Sequence, residues 1–430
     1  MAPTFKRQLP LTLLGVFSLI VISWFLTRKP QLPPASPAPR EPEPSLSVLA
    51  NAPDWTALEV YQDTITRADF ETLLTTVFTT GQAWRQFIEI DDHEARIRTG
   101  AANEFFHLRF SPKEPTAHAP RHWRNAGELP PAPNDKPLEG IRIAIDAGHI
   151  GGAWAKMEER WFVFGNGTPV TEGDMTLHVA QRIKPKLEAL GAIVSMVRDK
   201  AEPVTPLRPA SLMSTLGDSP GTGESPESLK KLAERLFYRT AEIRARAQLV
   251  NETLKPDLVL CLHFNAEAWG NPNEPTLIDR THLHLLVNGA YNDEEVSLAD
   301  QRFALLQKLL QRTHEEEVKV GTIVADTFAQ ISGLPPYTYP ADSLNARPVN
   351  GHPYLWARNL LANRLYDCPV IFMEPYVMNS VQDYNRIQAG DYEGLRLING
   401  KEVPSIFNEY ADALTFSLEK YYRLARPATH

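Results

Sequence analysis

The strongest constraint on this chain is an alternation that runs through its second two thirds. Apolar runs of strand length occur at 141–147 (IRIAIDA), 193–197 (IVSMV), 258–262 (LVLCL), 283–287 (LHLLV) and 370–373 (VIFM). Segments with helical spacing lie between them. Leu177, Ala180, Ile183, Leu187 and Leu190 recur every three or four residues, and Gly191 follows as a stop; Pro185 sits inside the run as a point of kinking. Residues 230–252, 296–317 and 406–422 also predict helices. The run 258–262 is apolar at every position, as a strand covered on both faces requires. Strand–helix–strand alternation predicts an α/β fold, a mostly parallel twisted sheet flanked by helices on both faces.

That rhythm begins near residue 139, and what precedes it is different in kind. Lys6 and Arg7 lead into an uncharged segment of 18 residues, 9–26. This is at the low end of the ~17–25 residues that span a bilayer. Arg28 and Lys29 follow, so basic residues flank both sides and orientation is weakly marked. No small-x-small cleavage site follows directly, which favours an N-terminal membrane anchor over a signal peptide; the stretch from Ala35 to Ala38 supplies the alternative, cleavage and secretion. Residues 27–53 form a proline-rich, semi-rigid tether. Residues 54–112 read as a small α+β module of unknown role. It has a helix over 69–78 carrying Phe70, Leu73, Leu74 and Val77 on one side, and strands at 87–90 and 105–110. His93 and its acidic neighbours read as solvated loop. Residues 1–8 are a tail and 113–138 a linker, and 139–430 form the main domain.

Composition narrows the function. Acidic residues outnumber basic ones, 52 to 44, giving a formal charge of -8 without a sustained basic run. Phosphate backbones need clustered Lys and Arg, so nucleic acid is excluded as a partner. Cys261 and Cys368 are the only two cysteines. Two cannot make a disulfide framework or a four-cysteine zinc site; they read as buried thiols in strands, with a single bridge between them as the alternative.

The chemistry gathers at element ends. His149 follows the 141–147 strand, His263 ends the 258–262 strand, Glu374 ends the 370–373 strand, and Glu172 opens the helix that continues through Asp174. Strands of a parallel sheet end on one edge, where α/β proteins place their ligands. Two imidazoles, one carboxylate and an open fourth position form a catalytic zinc set, and a further carboxylate can take the proton of an activated water.

These segments, IDAGH (145–149), EGDMTL (172–177), LHFNA (262–266) and PVIFME (369–374), followed by Asn379-Ser380 and a closing helix, resemble the zinc-dependent N-acetylmuramoyl-L-alanine amidases of the cell-wall hydrolase type. The resemblance covers about residues 139–424. It implies that His149, Glu172 and His263 hold Zn2+, and that Glu374 is the catalytic base and acid. It also implies that the substrate is peptidoglycan, cut at the amide between N-acetylmuramic acid and L-alanine. The protein would then be exported, anchored at the cell membrane facing the periplasm or cell wall, or secreted. A catalytically inactive wall-binding or regulatory protein and a zinc peptidase acting on the stem peptide are the alternatives.

The chain departs from the family pattern at Ala147, where proline is usual, and at Ile150, where glycine is usual. Glu158 and Glu159 are rival ligands to Glu172. Asn265, Arg358 and His352 are candidates for substrate contact. Arg244 and Asn251 read as structural. His282 and His284 alternate on one strand, and an exposed strand face is the favoured reading over a second metal. Trp154, Trp161 and Phe162 could pack or stack on substrate. The stretch 201–228 reads as a loop insertion, and 270–350, which contains the 283–287 strand and the 296–317 helix, is longer than a minimal enzyme of this kind needs; both suit lids, binding loops or the action of a regulatory protein.

Overall fold

The computed structural model of the chain describes residues 45–427 apart from 101–103, 116–118, 218–224, 270 and 272–273. The segment 9–26 lies outside the described residues. Among those described, no helix is long and apolar enough to cross a membrane.

Near the N-terminus, β1 (Ile88–Ile90), β2 (Glu94–Arg98) and β3 (Phe105–Arg109) form an antiparallel sheet. The middle strand is one that the charged sequence EARIR concealed. Ala95 and Ile97 point inward while Glu94, Arg96 and Arg98 face outward, the alternation of a strand with one wet face. His93 is exposed in the turn before it. In the segment 113–138, Trp123 is buried, and Arg124 pairs with the buried Asp257 at 2.7 Å, as Arg142 does at 2.6 Å.

The main sheet contains β4 (Arg142–Ala147), β7 (Ile193–Met196), β8 (Leu258–Leu262), β9 (Leu283–Val287), β10 (Arg347–Pro348), β11 (Leu355–Ala357) and β12 (Val370–Pro375). A two-stranded ribbon, β5 (Trp161–Phe162) with β6 (Val170–Thr171), lies between β4 and β7 in sequence. The sheet order is β10-β11-β9-β12-β8-β4-β7. β7, β4, β8 and β12 run parallel; β9 is antiparallel to β12. The mostly parallel sheet is therefore present, with two reversals, at β12–β9 and at β11–β10, that sequence rhythm cannot reveal.

Period-two burial splits the sheet between two helical layers. Ile143, Ile145, Leu260, Leu262, Ile371 and Met373 pack with α1 (Glu172–Ala189), α3 (Thr313–Ser332) and α4 (Ile406–Ala425). Ala144, Val259, Cys261, Leu286, Val370 and Phe372 pack on the other face, against the helical run 237–254 and the short helix Leu361–Leu365. Both cysteines are buried free thiols. Helix α1 continues through Pro185.

The two stretches read as insertions are partly core. Residues 209–217 are helical, starting at Pro209, and Leu212 is buried beside Phe237. Proline at a first helical position is pre-organised for a helix, which composition alone does not show. The stretch 270–350 supplies β9, α3 and also α2 (Ala299–Gln311). The single helix expected over 296–317 is broken at Arg312, whose φ of 59° separates α2 from α3. Leu305, Leu306, Leu309 and Leu310 of α2 share one core with Leu58, Phe70, Leu74 and Phe78 of the N-terminal segment. Residues from 45 onward belong to one compact unit.

Removing residues 45–112 uncovers those four leucines. Each buried leucine is worth ~1.5–3 kcal/mol, against a total stability of ~5–15 kcal/mol. A fragment starting at residue 113 is expected to aggregate or to melt well below a fragment starting at residue 45. Equal melting temperatures for the two would contradict the shared core.

Candidate metal centre

The site is a row of residues across the strand ends. Ala147 pairs with Leu262 and Leu262 with Met373, so Gly148, His263 and Glu374 fall in the next row. The amide of Gly148 donates to Leu262 O at 2.9 Å and that of His263 to Met373 O at 3.1 Å, extending the ladder to this level. On the other side of β12, Glu374 stands opposite His284.

His149 leaves the row through a turn with φ of 60°. A side chain at such φ costs ~1–3 kcal/mol, so its surroundings must hold it. Two buried arginines do so. Arg198 donates to Ala147 O at 2.9 Å and Gly148 O at 3.1 Å. Arg246 donates to Ala147 O at 2.9 Å and His149 O at 2.7 Å, and pairs with Asp146 and Glu242, each at 2.8 Å. Arg244 instead faces Asp300, and Asn251 bonds to Leu365 O at 2.8 Å, the structural roles expected of them. Arg246 went unnoticed because it lies only two residues beyond Arg244, which on a helix is nearly the opposite face.

Three glycines make the turn fit. A Cβ on Gly148 would stand 2.3 Å from the His263 ring. Gly151, at φ of 78°, and Gly173 press backbone to backbone, where a Cβ on Gly173 would lie 2.4 Å from Gly151 N. This contact seats the 148–152 turn on the first turn of α1. Ile150, the departure from the family pattern, is fully buried with Phe237, Tyr238 and Leu212. An apolar residue at this position fits because the turn packs against a helical layer.

Glu172 is the centre of the cluster. It is 3 % exposed. One carboxylate oxygen lies 3.1 Å from Nε2 of His149 and the other 3.0 Å from Nδ1 of His263. Arg160 Nε also reaches it, at 3.2 Å. Donor atoms from His149, Glu172 and His263 all lie within 4.8 Å of one another. Ligands ~2.1 Å from a tetrahedral ion sit ~3.4 Å apart, so these three, with small side-chain adjustments, could hold one metal ion. Of the rivals, Glu158 is buried and accepts from the amides of Ile150 and Gly151 at 2.9 and 3.0 Å, with His149 Nδ1 at 3.8 Å; it holds the turn and backs the histidine. Glu159 is half exposed and pairs with Arg239 at 3.1 Å.

Burial raises the Glu172 carboxyl, but the charge and hydrogen bonds of His149 and His263 outweigh it and hold Glu172 well below the carboxylate range. Desolvation lowers His149, favouring the neutral ring that ligates metals. His263 is desolvated too, yet its hydrogen bond to Glu172 and the charge of Glu374 raise it. Its ring stacks on Phe372, with centroids 4.3 Å apart. Desolvation pushes Glu374 up to about 7, partly offset by His263 and Arg358.

A cleft of about 390 Å³ opens beside these groups, lined by His149, His263, Arg160, Arg358, Leu361 and Phe372 among others. Arg358 is thus in the cleft. Asn265 closes the turn after β8, its side chain accepting from Ala266 N at 2.7 Å. His352 is not a cleft-lining residue; it meets Asp326 at 3.1 Å. Trp154 packs on Phe237, whereas Trp161 and Phe162 line a smaller hollow with Trp269. His282 and His284 are not an exposed strand face. They are 2 % and 3 % exposed, and the reversal of β9 brings them to the same edge as Glu374.

No protein-family model matches the chain, and no curated protein matches it. Among solved structures, the chain is similar to the N-acetylmuramyl-L-alanine amidase Ami1 from Mycobacterium smegmatis, at 16% identity and TM-score 0.36, covering 67% of this chain and 99% of that one. It is also similar to an N-acetylmuramoyl-L-alanine amidase from Clostridium difficile 630, at 13% identity and TM-score 0.37, covering 66% and 97%. A third is the amidase AmiC2 of Nostoc punctiforme, at 15% identity and TM-score 0.32, covering 66% and 99%.

Gly148→Ala tests the geometry of the row. The added methyl must displace the His263 ring, and disturbing a ligand's support costs about ten- to hundredfold in metal affinity. Zinc competition titration is expected to show that loss. Unchanged affinity would mean that His263 does not need its present position.

Proposed function

We propose that this protein is a zinc-dependent hydrolase of the amide bond between N-acetylmuramic acid and L-alanine in peptidoglycan. One observation carries the reading. His149, Glu172 and His263 converge as a three-donor set, with Glu374 next to His263 in the same row, in the order and sequence context of the amidases that the chain resembles. Zn2+ bound there would polarise the scissile carbonyl and lower the pKa of a water molecule. Glu374 accepts that water's proton and returns it to the departing amine of L-alanine, so it must begin as carboxylate and end each turnover as carboxylate. Burial near neutrality suits both halves, because a carboxyl close to pH 7 takes and releases a proton with little driving force lost. Glu158, Arg198 and Arg246 keep His149 in place, and Phe372 keeps His263 in place. The uncharged segment 9–26 and the proline-rich stretch after it support an exported protein tethered near the wall it cuts.

Glu374→Gln is expected to lower turnover of a muropeptide by ~10²–10⁴-fold, the worth of a general base, while bound zinc stays near one equivalent. Loss of zinc with activity would move Glu374 into the ligand set. Product masses decide the bond. Free stem peptide with intact glycan supports the amidase; cleavage between amino acids identifies a peptidase, and wall binding without turnover a non-enzymatic protein.

A further inference from the structure

The arginines of the cleft are not equivalent. Arg160, Arg239, Arg246 and Arg358 all line it. Arg160 is matched by Glu172, Arg239 by Glu159, and Arg246 by Asp146 and Glu242. Among the described residues, no carboxylate lies within 4.0 Å of the Arg358 guanidinium. Its one side-chain hydrogen bond is to a neutral group, from Nη1 to Tyr339 Oη at 3.2 Å. Arg358 acts on Glu374 at longer range but pairs with no carboxylate directly, and a half-buried cation in that state inside a cleft is a place for an anion from outside.

The partners of Arg358 hold it rather than neutralise it. Tyr339 Oη lies 3.4 Å from Nε2 of the buried His284, and its ring packs on Trp356 with centroids 5.0 Å apart. Tyr337 packs against His284, 4.9 Å between centroids. Nδ1 of His284 is buried with no partner in the protein. A buried nitrogen without a protein partner is costly, so this histidine is held by the rings packed around it. Arg358 therefore presents a fork whose side-chain torsions are already restrained, the form in which a guanidinium binds a carboxylate most effectively.

Position supplies the direction. The row runs Gly148, His263, Glu374, His284 across β4, β8, β12 and β9. Arg358 follows β11, beyond β9; it leaves that strand at the end away from this row, and its side chain reaches back to Tyr339 beside His284. Glu374 returns its proton to the amine that departs with the peptide. On that reading the peptide half comes within reach of the groups near Glu374, Arg358 among them.

Resting on the amidase reading above, we propose that Arg358, oriented by Tyr339 and His284, binds a carboxylate of the peptide half of the substrate. The full chain with zinc would be assayed on two muramoyl dipeptides that differ only in whether the carboxylates of the terminal residue are free or amidated. The ratio of kcat/KM, free acid over amide, is expected to be about ten- to hundredfold, the worth of charge-assisted hydrogen bonds. Arg358→Met should bring the ratio near one. Arg358→Lys should keep an intermediate ratio, since it retains the charge without the fork. Tyr339→Phe should lower the ratio in part. A ratio near one in the parent overturns the proposal. So does an Arg358→Met protein slowed equally on both substrates, because that is the mark of a structural role. Calorimetry with the two free dipeptides, acid and amide, reads the subsite without turnover. If neither muramoyl compound is cut, the amidase reading fails, and a preference for the acid that Arg358→Met abolishes still supports the subsite. No preference removes it.

Discussion

A buried carboxylate between two imidazoles is the interaction on which the rest depends. Glu172 is nearly inaccessible to water, and a carboxylate in that state is tolerable only when it is paired on all sides. His149 and His263 supply the pairing, and each must arrive from a different strand. That requirement explains the small residues nearby. Gly148 leaves space for the His263 ring, and the Gly151–Gly173 contact brings the loop of one ligand onto the helix that carries another. It also explains two buried arginines whose hydrogen bonds end on backbone carbonyls of the 147–149 turn rather than on any substrate.

Around this centre the sheet does two jobs. Its parallel strands β4, β8 and β12 carry Gly148, His263 and Glu374 to one edge at one level, so that ligand and base are neighbours by register. The antiparallel β9 then brings the beginning of a strand to that edge. His284 arrives opposite Glu374 with Tyr337 and Tyr339 over it. The edge thus has a side with the candidate metal ligands and a side built from aromatic rings, buried histidines and an arginine that no carboxylate pairs directly.

The N-terminal segment belongs to the same compact unit through α2. Residues 54–112 alone form a three-stranded sheet and short helices, too small to bury a sizeable core unaided. The four leucines of α2 complete that core. The stretch 270–350 therefore serves both the main sheet, through β9 and α3, and the N-terminal segment, through α2.

Much of this was legible in the chain itself. Helical spacing in 177–190, the all-apolar run 258–262 and the polar residues closing the runs determined an α/β fold and nominated His149, Glu172, His263 and Glu374, because period and strand ends are local properties of sequence. The β2 strand and the helix over 209–217 escaped it, since charged outer faces and proline-rich composition imitate loops. Only the tertiary structure decided the direction of β9, and with it the burial of His282 and His284 and the place of Tyr339 and Arg358. It also decided which arginine, 246 rather than 244, reaches the site. Strand direction and helix rotation are set by how distant segments pack, and no spacing along one chain encodes them.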